Sequence, residues 1–453
     1  MKFIYQDLLR FLKEQPSKAA LSEKLFQLGH EHDINGEIFD MEITPNRGDC
    51  LSLIGLSRDL NYFYNNEDPF EIYNDNIDLL DLDFKNLSIT SCPKITFLEI
   101  EIDEEISSYK PYLENYFSQL GNKKTNFFSD ISNYISYERG QPTHCFDKKY
   151  ITKDLTFTNK LCDESFKTLL GKEIQLEGKN CVFTSSGEII SLAGIMGGES
   201  TSCSENTREV LVECAFFNPE AIIGKSIKYN LKSDAAHKFE RGVDIEAQEK
   251  VLRRFISVVK DHAVIKKLSM NTFIGSHFNK KYLPIRIDKV NKILGTKISK
   301  EQYISFLTKL GFEIDDEIKV PSYRNDVASQ NDLSEEIARI IGYDDIKSIP
   351  LNLKRRSQLE QDKISKIEDF FIDKGFNEVI NMPFSDIEEK KSILIDNPLD
   401  SNRRNLRTSL KNSLIENLLF NERRQKDSIK LFEISDVYSI QKDILQEKRL
   451  GII

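Results

Sequence analysis

The stretch of this chain that most restricts its fold is EIQLEGKNCVFTSSGEIISLAGIMGG, residues 173–198. Apolar and polar side chains alternate along it, with the period of a half-buried β-strand. The alternation is broken at EGKN and at SSG, and the run finishes in a glycine-dense turn, so the sequence predicts consecutive hairpins. Another strand, EVLVECAFF, and a short helix come next. A region of mixed α and β structure is therefore expected over residues 90–275.

Three further segments have patterns of their own. Residues 1–75 combine two stretches of helical spacing with a short strand and a further helix, and residues 277–351 indicate strand, two helices, strand and helix. Residues 356–453 are predicted to form another α/β region. Because 453 residues exceed what one ordinary core accommodates, we predict an α+β, multidomain chain with domains at 1–75, 90–275, 277–351 and 356–453.

Charge and composition exclude several classes of protein. A formal net charge of −10 argues against wholesale coating of nucleic acid, which depends on clustered Lys and Arg. No apolar run approaches the roughly 20 residues of a membrane span, so no membrane association is expected. Seven cysteines without a CxxC pair argue against a disulfide framework and a structural zinc site, and they suit the reduced thiols of a cytoplasmic protein.

The sequence contains no recognisable nucleotide-binding loop. Gly224, Lys225 and Ser226 are similar to the end of one, but Pro219 stands where the motif requires glycine. No GxGxxG follows a strand either. We therefore do not expect this chain to bind ATP itself.

Glu213 is the residue whose surroundings are least expected. In an extended strand it points to the same side as Leu211, Ala215 and Phe217. A carboxylate on an apolar face is costly without a partner, which could be Arg241, a lysine, or a hydroxyl or amine of a ligand.

His144, in GQPTHCFD, could act as a base or bind a ligand, although a lone histidine is more often structural. Its neighbour Cys145 invites a Cys–His pair. Adjacent residues of an extended segment point to opposite faces, so we reject that pair.

Two glycine-bordered segments allow either a structural or a functional interpretation. SDAAHKFERGVD is expected to form a short helix, capped by Ser233 or Asp234 and ended by Gly242. The cap does not explain the small side chains, such as Ala235, which could leave room for a ligand. Gly197 similarly either forms a tight hairpin turn or lets backbone approach a ligand closely.

Four carboxylates cluster in the segment YRNDVASQNDLSEEIARIIGYDDI. Asp326 lies just before a helix on which Asp332, Glu335 and Glu336 share one face. Such a set of hard oxygen ligands suits Mg²⁺. Asp332 as N-cap with Glu335 at the third helical position would instead form a capping box that needs no ion.

Several motifs together resemble one family, the β subunits of bacterial phenylalanyl-tRNA synthetases. The similar stretches stand in the family's order and spacing: MEITPNRGDCLSLIGLSRDL, DISNYISYERGQPTHCFD, LAGIMGGES, VLVECAFFNPEAI, SDAAHKFERGVD and VPSYRNDVASQNDLSEEIARIIGYDDI. The resemblance implies an (αβ)₂ heterotetramer that charges tRNA(Phe). In it the α subunit holds phenylalanine and ATP, and the β subunit supplies structure, tRNA contacts and an editing site.

The resemblance also implies the residues of that editing site. Its pocket, which hydrolyses tyrosine wrongly attached to tRNA(Phe), is expected to contain His144, Gly197, Glu213, Ser233 and Ala235. Glu213 is the expected acceptor for the tyrosine phenol. Gly197 and Ala235 would keep the pocket open, and His144 and Ser233 would hold the tRNA 3′ end or orient water.

The remaining regions resemble other parts of the same family. Residues 277–351 resemble its B5 domain, expected to be winged-helix-like, where the resemblance assigns Mg²⁺ to Asp326, Asp332, Glu335 and Glu336. Residues 356–453 resemble part of a degenerate, non-catalytic class II synthetase domain.

The sequence also departs from the family pattern in three respects. An inserted OB-like tRNA-binding domain is missing from the first segment, Ser233 replaces the usual threonine, and the C-terminal region is absent. Weaker tRNA binding is expected. Two alternatives to an editing subunit stay open: a scaffold subunit that no longer hydrolyses, and a free-standing aminoacyl-tRNA deacylase.

Overall fold

The computed structural model describes residues 1–453 except 104, 105, 107, 152, 153, 349 and 351–361. The chain divides into two compact units, Met1–Ile349 and Pro350–Ile453. Among the described residues, no helix is long and apolar enough to cross a membrane.

The N-terminal region is a small antiparallel sheet flanked by helices, with strand order β1-β3-β2. The strand β1 was not predicted, because its three residues are too few to show a period, and only pairing with distant β3 defines it. The further helix predicted in this region begins at Leu53, where the Ser52 hydroxyl accepts a hydrogen bond from the Gly55 N–H. The elements are β1 (Lys2–Ile4), α1 (Tyr5–Leu9), α2 (Lys18–Gln27), β2 (Glu31–Asn35), β3 (Ile38–Glu42), α3 (Leu53–Asp59) and α4 (Asn61–Tyr64).

The next region contains two five-stranded sheets. Both sheets contribute side chains to one apolar cluster. One sheet has the order β4-β13-β6-β12-β7 and the other β11-β10-β9-β8-β5. Its elements are β4 (Asp78–Leu79), β5 (Phe84–Asn86), β6 (Lys94–Ile102), α5 (Pro111–Leu120), α6 (Phe127–Arg139), β7 (His144–Asp147), β8 (Leu155–Lys167), β9 (Glu173–Ser185), β10 (Glu188–Leu192), β11 (Met196–Gly197), β12 (Glu209–Phe216), α7 (Pro219–Ile222), α8 (Lys225–Lys228), α9 (Asp234–Arg241), α10 (Gln248–Lys260) and β13 (Ile265–Ile274).

The structure confirms the hairpin at SSG and corrects the break at EGKN. The strand β9 runs through EGKN without interruption and pairs with β8 along its whole length. Gly178 adopts a positive φ of 69° within this strand, which glycine tolerates because it has no Cβ. The polar residues here lie within one long strand rather than in a turn.

The third region of the first unit is a three-stranded antiparallel sheet, order β14-β16-β15, with three helices. One apolar cluster contains residues of all three regions, from Phe3 through Val251 to Ile340, so residues 1–349 form one compact unit. The elements are β14 (Tyr282–Pro284), α11 (Ile287–Leu294), α12 (Lys300–Lys309), β15 (Glu313–Ile314), β16 (Glu317–Lys319) and α13 (Gln330–Ile341).

The second unit contains two three-stranded sheets, with orders β17-β21-β22 and β18-β20-β19. A small core is formed by Leu410 and Leu414 at the start of one helix, α15, and by Leu431 and Val437 of β21. The strand β22 pairs with β21 in antiparallel orientation. The elements are α14 (Lys363–Asp373), β17 (Asn377–Glu378), β18 (Phe384–Ser385), β19 (Ile393–Leu394), β20 (Asn405–Leu406), α15 (Lys411–Glu422), β21 (Leu431–Ile440) and β22 (Ile444–Ile452).

Candidate functional site

A small cavity lies where β7, β10, β11, β12 and α9 meet in the first unit. Four of the five side chains predicted for an editing pocket line it, and Ser233 does not. The lining residues are Pro142, Thr143, His144, Ser191, Leu192, Gly194, Ile195, Met196, Gly197, Glu213, Ala235 and Phe239.

Glu213 lies on the cavity wall in the apolar setting that the sequence predicted. Leu211, Ala215 and Phe217 belong to the cluster between the two sheets, whereas Val212 belongs to the cluster on the other face of the strand. Glu213 is 4% exposed, and among the described residues no hydrogen bond or ion pair engages its carboxyl group. Burial raises the pKa of Glu213 to about 8. At neutral pH the group is therefore mainly a carboxylic acid, able both to donate and to accept a hydrogen bond.

His144 is the direct cross-strand partner of Glu213. The two residues are paired in the antiparallel register of β7 and β12, so their side chains point to the same face. Burial lowers the pKa of His144 to about 4, and its Nε2 is buried without a hydrogen-bond partner among the described residues. The imidazole is thus neutral, and its buried Nε2 lacks a hydrogen-bond partner in the described part of the chain.

Cys145 points away from this cavity, as predicted from the alternation of an extended strand. Its thiol contacts the Ser132 hydroxyl at 3.3 Å and the Phe128 carbonyl at 3.6 Å. Burial raises the pKa of Cys145 to about 12. A Cys145–His144 catalytic pair is excluded by this geometry.

The imidazole ring of His144 packs directly against Gly197. A Cβ at this position would overlap that ring and would lie 2.7 Å from its Nε2 and from Leu169 Cδ1. The space left by the glycine is therefore occupied by two side chains, and it is not open to a substrate as the resemblance implied.

Ser233 holds the start of α9 against the glycine turn. Its hydroxyl accepts a hydrogen bond from the Ala236 N–H at 3.1 Å and donates one to the Ile195 carbonyl at 2.6 Å. It is therefore the N-cap of the two candidates, Ser233 and Asp234. The hydroxyl already has two partners, which explains its presence without a substrate.

The cavity is narrow for the predicted substrate. Its volume is about 70 Å³, about half that of an engineered cavity of roughly 150 Å³ that binds benzene. An aromatic ring would therefore require wall side chains to move. Met196, with an unbranched and adaptable side chain, lies in this wall.

Some cavity residues were not predicted from the sequence. Phe239, Met196 and Ser191 lie on different elements, and only the pairing of those elements brings them together.

A larger groove of about 950 Å³ lies in the second unit, along α15 and β22. Its charged residues, such as Lys391, Lys411 and Arg449, are exposed. None of the predicted site residues lies there. We therefore regard the small cavity, with its buried unpartnered groups, as the candidate site.

The four carboxylates predicted to bind Mg²⁺ do not converge. Arg324 donates to Asp326 at 2.9 and 2.8 Å and to Glu336 at 2.7 Å twice, and Glu335 is exposed. Burial raises the pKa of Glu336, but the guanidiniums of Arg339 and Arg324 outweigh it, and the pKa falls to about 2. An arginine thus supplies the positive charge that a cation would bring, and these residues do not fit a single Mg²⁺ site.

Asp332 lies about one turn further into the helix than predicted. The N-cap of α13 is Ser329, and Asp332 is the third helical residue. The Asp332 carboxylate accepts from the backbone N–H groups of Ser329 at 2.7 Å and Ala328 at 2.9 Å. A capping box does begin this helix, but it consists of Ser329 and Asp332. The predicted box of Asp332 and Glu335 is wrong, because the serine hydroxyl three residues earlier starts the helix.

In the part of the chain that the structure describes, one group of possible metal ligands lies close together: His30, Cys50 and Asp59. The Arg47 guanidinium donates to Cys50 Sγ at 2.9 Å and to Asp59 at 2.9 Å, and Arg339 donates to Asp59 at 2.8 Å. Two arginines already neutralise this buried group. It is a structural ion cluster and not a metal centre.

Comparison with protein families gives three consecutive matches. Residues 92–264 match the B3/4 domain, residues 283–343 the tRNA synthetase B5 domain, and residues 349–453 the phenylalanyl tRNA synthetase beta chain CLM domain. The cavity lies within the first of these ranges, and the carboxylates within the second.

Curated relatives are similar over most of the chain. The phenylalanine–tRNA ligase beta subunit of Psychrobacter arcticus is 31% identical over 93% of this chain and 55% of its own length. That of Photorhabdus laumondii is 28% identical over 88% of this chain and 53% of its own length. The chain spans about half the length of these relatives.

A solved N-terminal fragment of the phenylalanyl-tRNA synthetase beta subunit from Pyrococcus horikoshii also aligns. The match covers 75% of this chain and 99% of the fragment, at 14% identity and a TM-score of 0.41, too low to establish a common fold. The family matches and the curated relatives together assign the chain to the family of phenylalanine–tRNA ligase β subunits, of which it spans about half.

Proposed function

We propose that the chain serves as a β subunit of phenylalanine–tRNA ligase and hydrolyses tyrosine attached in error to tRNA(Phe). In this proposal an α subunit binds phenylalanine and ATP, and two α and two β subunits form the complex that charges the tRNA. The observation that carries the editing part is Glu213, a buried carboxyl group without a protein partner, beside the unpartnered ring nitrogen of His144.

A separate editing site is needed because a pocket that binds phenylalanine excludes tyrosine only weakly. A hydrophobic pocket built for phenylalanine rejects an analogue with one extra hydroxyl by only about 10²-fold. A second site that hydrogen-bonds the hydroxyl discriminates against the analogue lacking it by about 10⁴ to 10⁵. Glu213 in its neutral form can both donate to and accept from a phenol, and phenylalanine would leave it unpartnered.

His144 has a role that its neutrality permits. An imidazole that is uncharged at pH 7 can accept a hydrogen bond from a water molecule or from a ribose hydroxyl of the tRNA 3′ end. Ala235 keeps the cavity wall at the start of α9 free of a long side chain. In this proposal Ser233 acts through backbone positioning, since its hydroxyl is engaged with Ile195 and Ala236.

A scaffold subunit without hydrolysis is the second candidate, and the cavity volume of about 70 Å³ favours it. A free-standing deacylase is the third. It differs from the first two in making no stable complex with an α subunit. The winged-helix-like description of residues 277–351 and the class II synthetase-like description of 356–453 are further parts of the same proposal.

The test is hydrolysis of preformed Tyr-tRNA(Phe) by the chain coexpressed with an α subunit. We expect hydrolysis by the unmodified complex, and its loss in Glu213→Ala with assembly unchanged. Glu209→Ala is the matched control, because Glu209 lies on the same strand outside the cavity and is paired with Lys267. No hydrolysis by an intact unmodified complex would identify a scaffold, and equal loss of assembly and hydrolysis would make Glu213 structural.

A further inference from the structure

Ser191 places a third polar group on the cavity wall. It lies on β10, is 3% exposed and lines the cavity with Glu213 and His144. Its Cα partners are Phe183 on β9 and Gly197 on β11. Ser191 therefore sits on the sheet that faces the strand carrying Glu213.

The register determines where the Ser191 side chain points. Directly opposite residues of neighbouring strands project to the same face of a sheet. The missing side chain of Gly197 would point into the His144 ring, and Phe183 lies in the cluster between the two sheets. The Ser191 hydroxyl therefore projects toward the wall formed by His144 and Glu213.

This hydroxyl has no hydrogen-bond partner among the described residues. By contrast, the nearby Thr143 hydroxyl is engaged with Ser132 at 2.8 Å. A polar group that faces a largely apolar cavity without a partner is unfavourable. Two opposing walls thus present unpartnered polar groups, Ser191 on one side and Glu213 with His144 on the other, between apolar residues such as Phe239. A few convergent polar groups in an apolar cavity are the usual features of a ligand site.

We infer that Ser191 is a specificity-determining residue whose hydroxyl hydrogen-bonds the phenolic oxygen of a bound tyrosyl group. The inference rests on the proposed editing function. It adds to Glu213 a second group that recognises the tyrosine phenol. A phenol both donates and accepts, so Ser191 and Glu213 can bind it from opposite sides. Phenylalanine would leave both groups unpaired.

The test compares Ser191→Ala with the unmodified chain, each in complex with an α subunit. Single-turnover hydrolysis is measured with Tyr-tRNA(Phe) and Phe-tRNA(Phe). Loss of one neutral hydrogen bond typically lowers affinity by about 2- to 10-fold. We expect a loss of that size, mainly in KM, for the tyrosyl ester and no change for the phenylalanyl ester. Ser165→Ala, an exposed serine of β8, is the matched control.

The outcomes separate this inference from the proposed function. An equal loss on both esters would overturn it by placing Ser191 near the ester or amino group, and no change on either would also overturn it. If the unmodified complex hydrolyses neither ester, the editing function fails. Calorimetry with the methyl esters of tyrosine and phenylalanine then still tests Ser191: tyrosine-selective binding that weakens in Ser191→Ala supports the inference, and any other result overturns it.

Folding of the variant is checked separately. Removing an unpartnered hydroxyl is expected to leave the melting temperature of the complex unchanged or higher. A clear drop in melting temperature would mean that the hydroxyl has a protein partner, which contradicts the inference.

Discussion

Replacement of Glu213 by glutamine is expected to stabilise the chain by an amount that grows with pH. Burial raises the pKa of Glu213 from 4.5 to about 8 in the folded chain, so between these values the folded state holds a proton that the unfolded state has lost. Stability rises with pH only where the unfolded state binds more protons. The free energy of unfolding of the unmodified chain therefore falls across this window.

The size of the effect follows from the same two values. Each pH unit between them corresponds to about 1.4 kcal/mol, which accumulates to about 5 kcal/mol at pH 8. Glutamine has a similar shape and does not ionise. The free energy of unfolding of the Glu213→Gln chain should therefore exceed that of the unmodified chain by less than about 1 kcal/mol at pH 5 and by about 5 kcal/mol at pH 8.

Urea unfolding of both chains at pH 5, 6, 7 and 8 measures this difference directly. The low pKa of His144 also makes stability depend on pH, since protons are excluded from its folded form below pH 6.5. That contribution is common to both chains and cancels in the difference. Glu209→Gln, on the same strand but outside the cavity and paired with Lys267, should lack the rise. A difference that does not change with pH would mean that Glu213 ionises in the folded chain, and would refute the reasoning.

Two further predictions concern the metal site and the glycine turn. Removal of Mg²⁺ by a chelator should leave the melting temperature unchanged, because Arg324 already neutralises Glu336; a decrease on chelation that Glu336→Gln abolishes would show a real ion site. Gly197→Ala should lower the free energy of unfolding by about 1–3 kcal/mol through overpacking against the His144 ring and Leu169; a stability equal to that of the unmodified chain, measured by urea unfolding, would show that the ring and Leu169 move aside freely.

Local patterns were sufficient to predict much of the site. The alternation around Glu213 placed it on an apolar face, and the same rule separated His144 from Cys145. Ser233 and Gly242 mark the two ends of α9 as predicted. These features depend on residues within a few positions of one another, because strand alternation and helix capping are set by the local backbone.

Other features depended on contacts between distant segments. The sequence of EGKN resembles a turn, yet pairing with β8 keeps the strand continuous, and Gly178 provides the positive φ. The sequence pattern of Asp326 and Glu336 is typical of a cation site, whereas in the structure the Arg324 guanidinium donates hydrogen bonds to both carboxylates. A charged side chain can reach many partners, and the sequence does not state which one is nearest.

The sequence by itself determined the types of element, the buried position of Glu213 and the family resemblance. Only the tertiary structure decided that Ser191 and Glu213 line one cavity, that the His144 ring lies against Gly197, and how narrow the cavity is. The physical reason is that cavity shape depends on the register and packing of strands far apart in the chain. The side-chain pattern of a strand determines which face of the sheet each residue occupies. Which residue of the other sheet it contacts is determined only when the two sheets pack together.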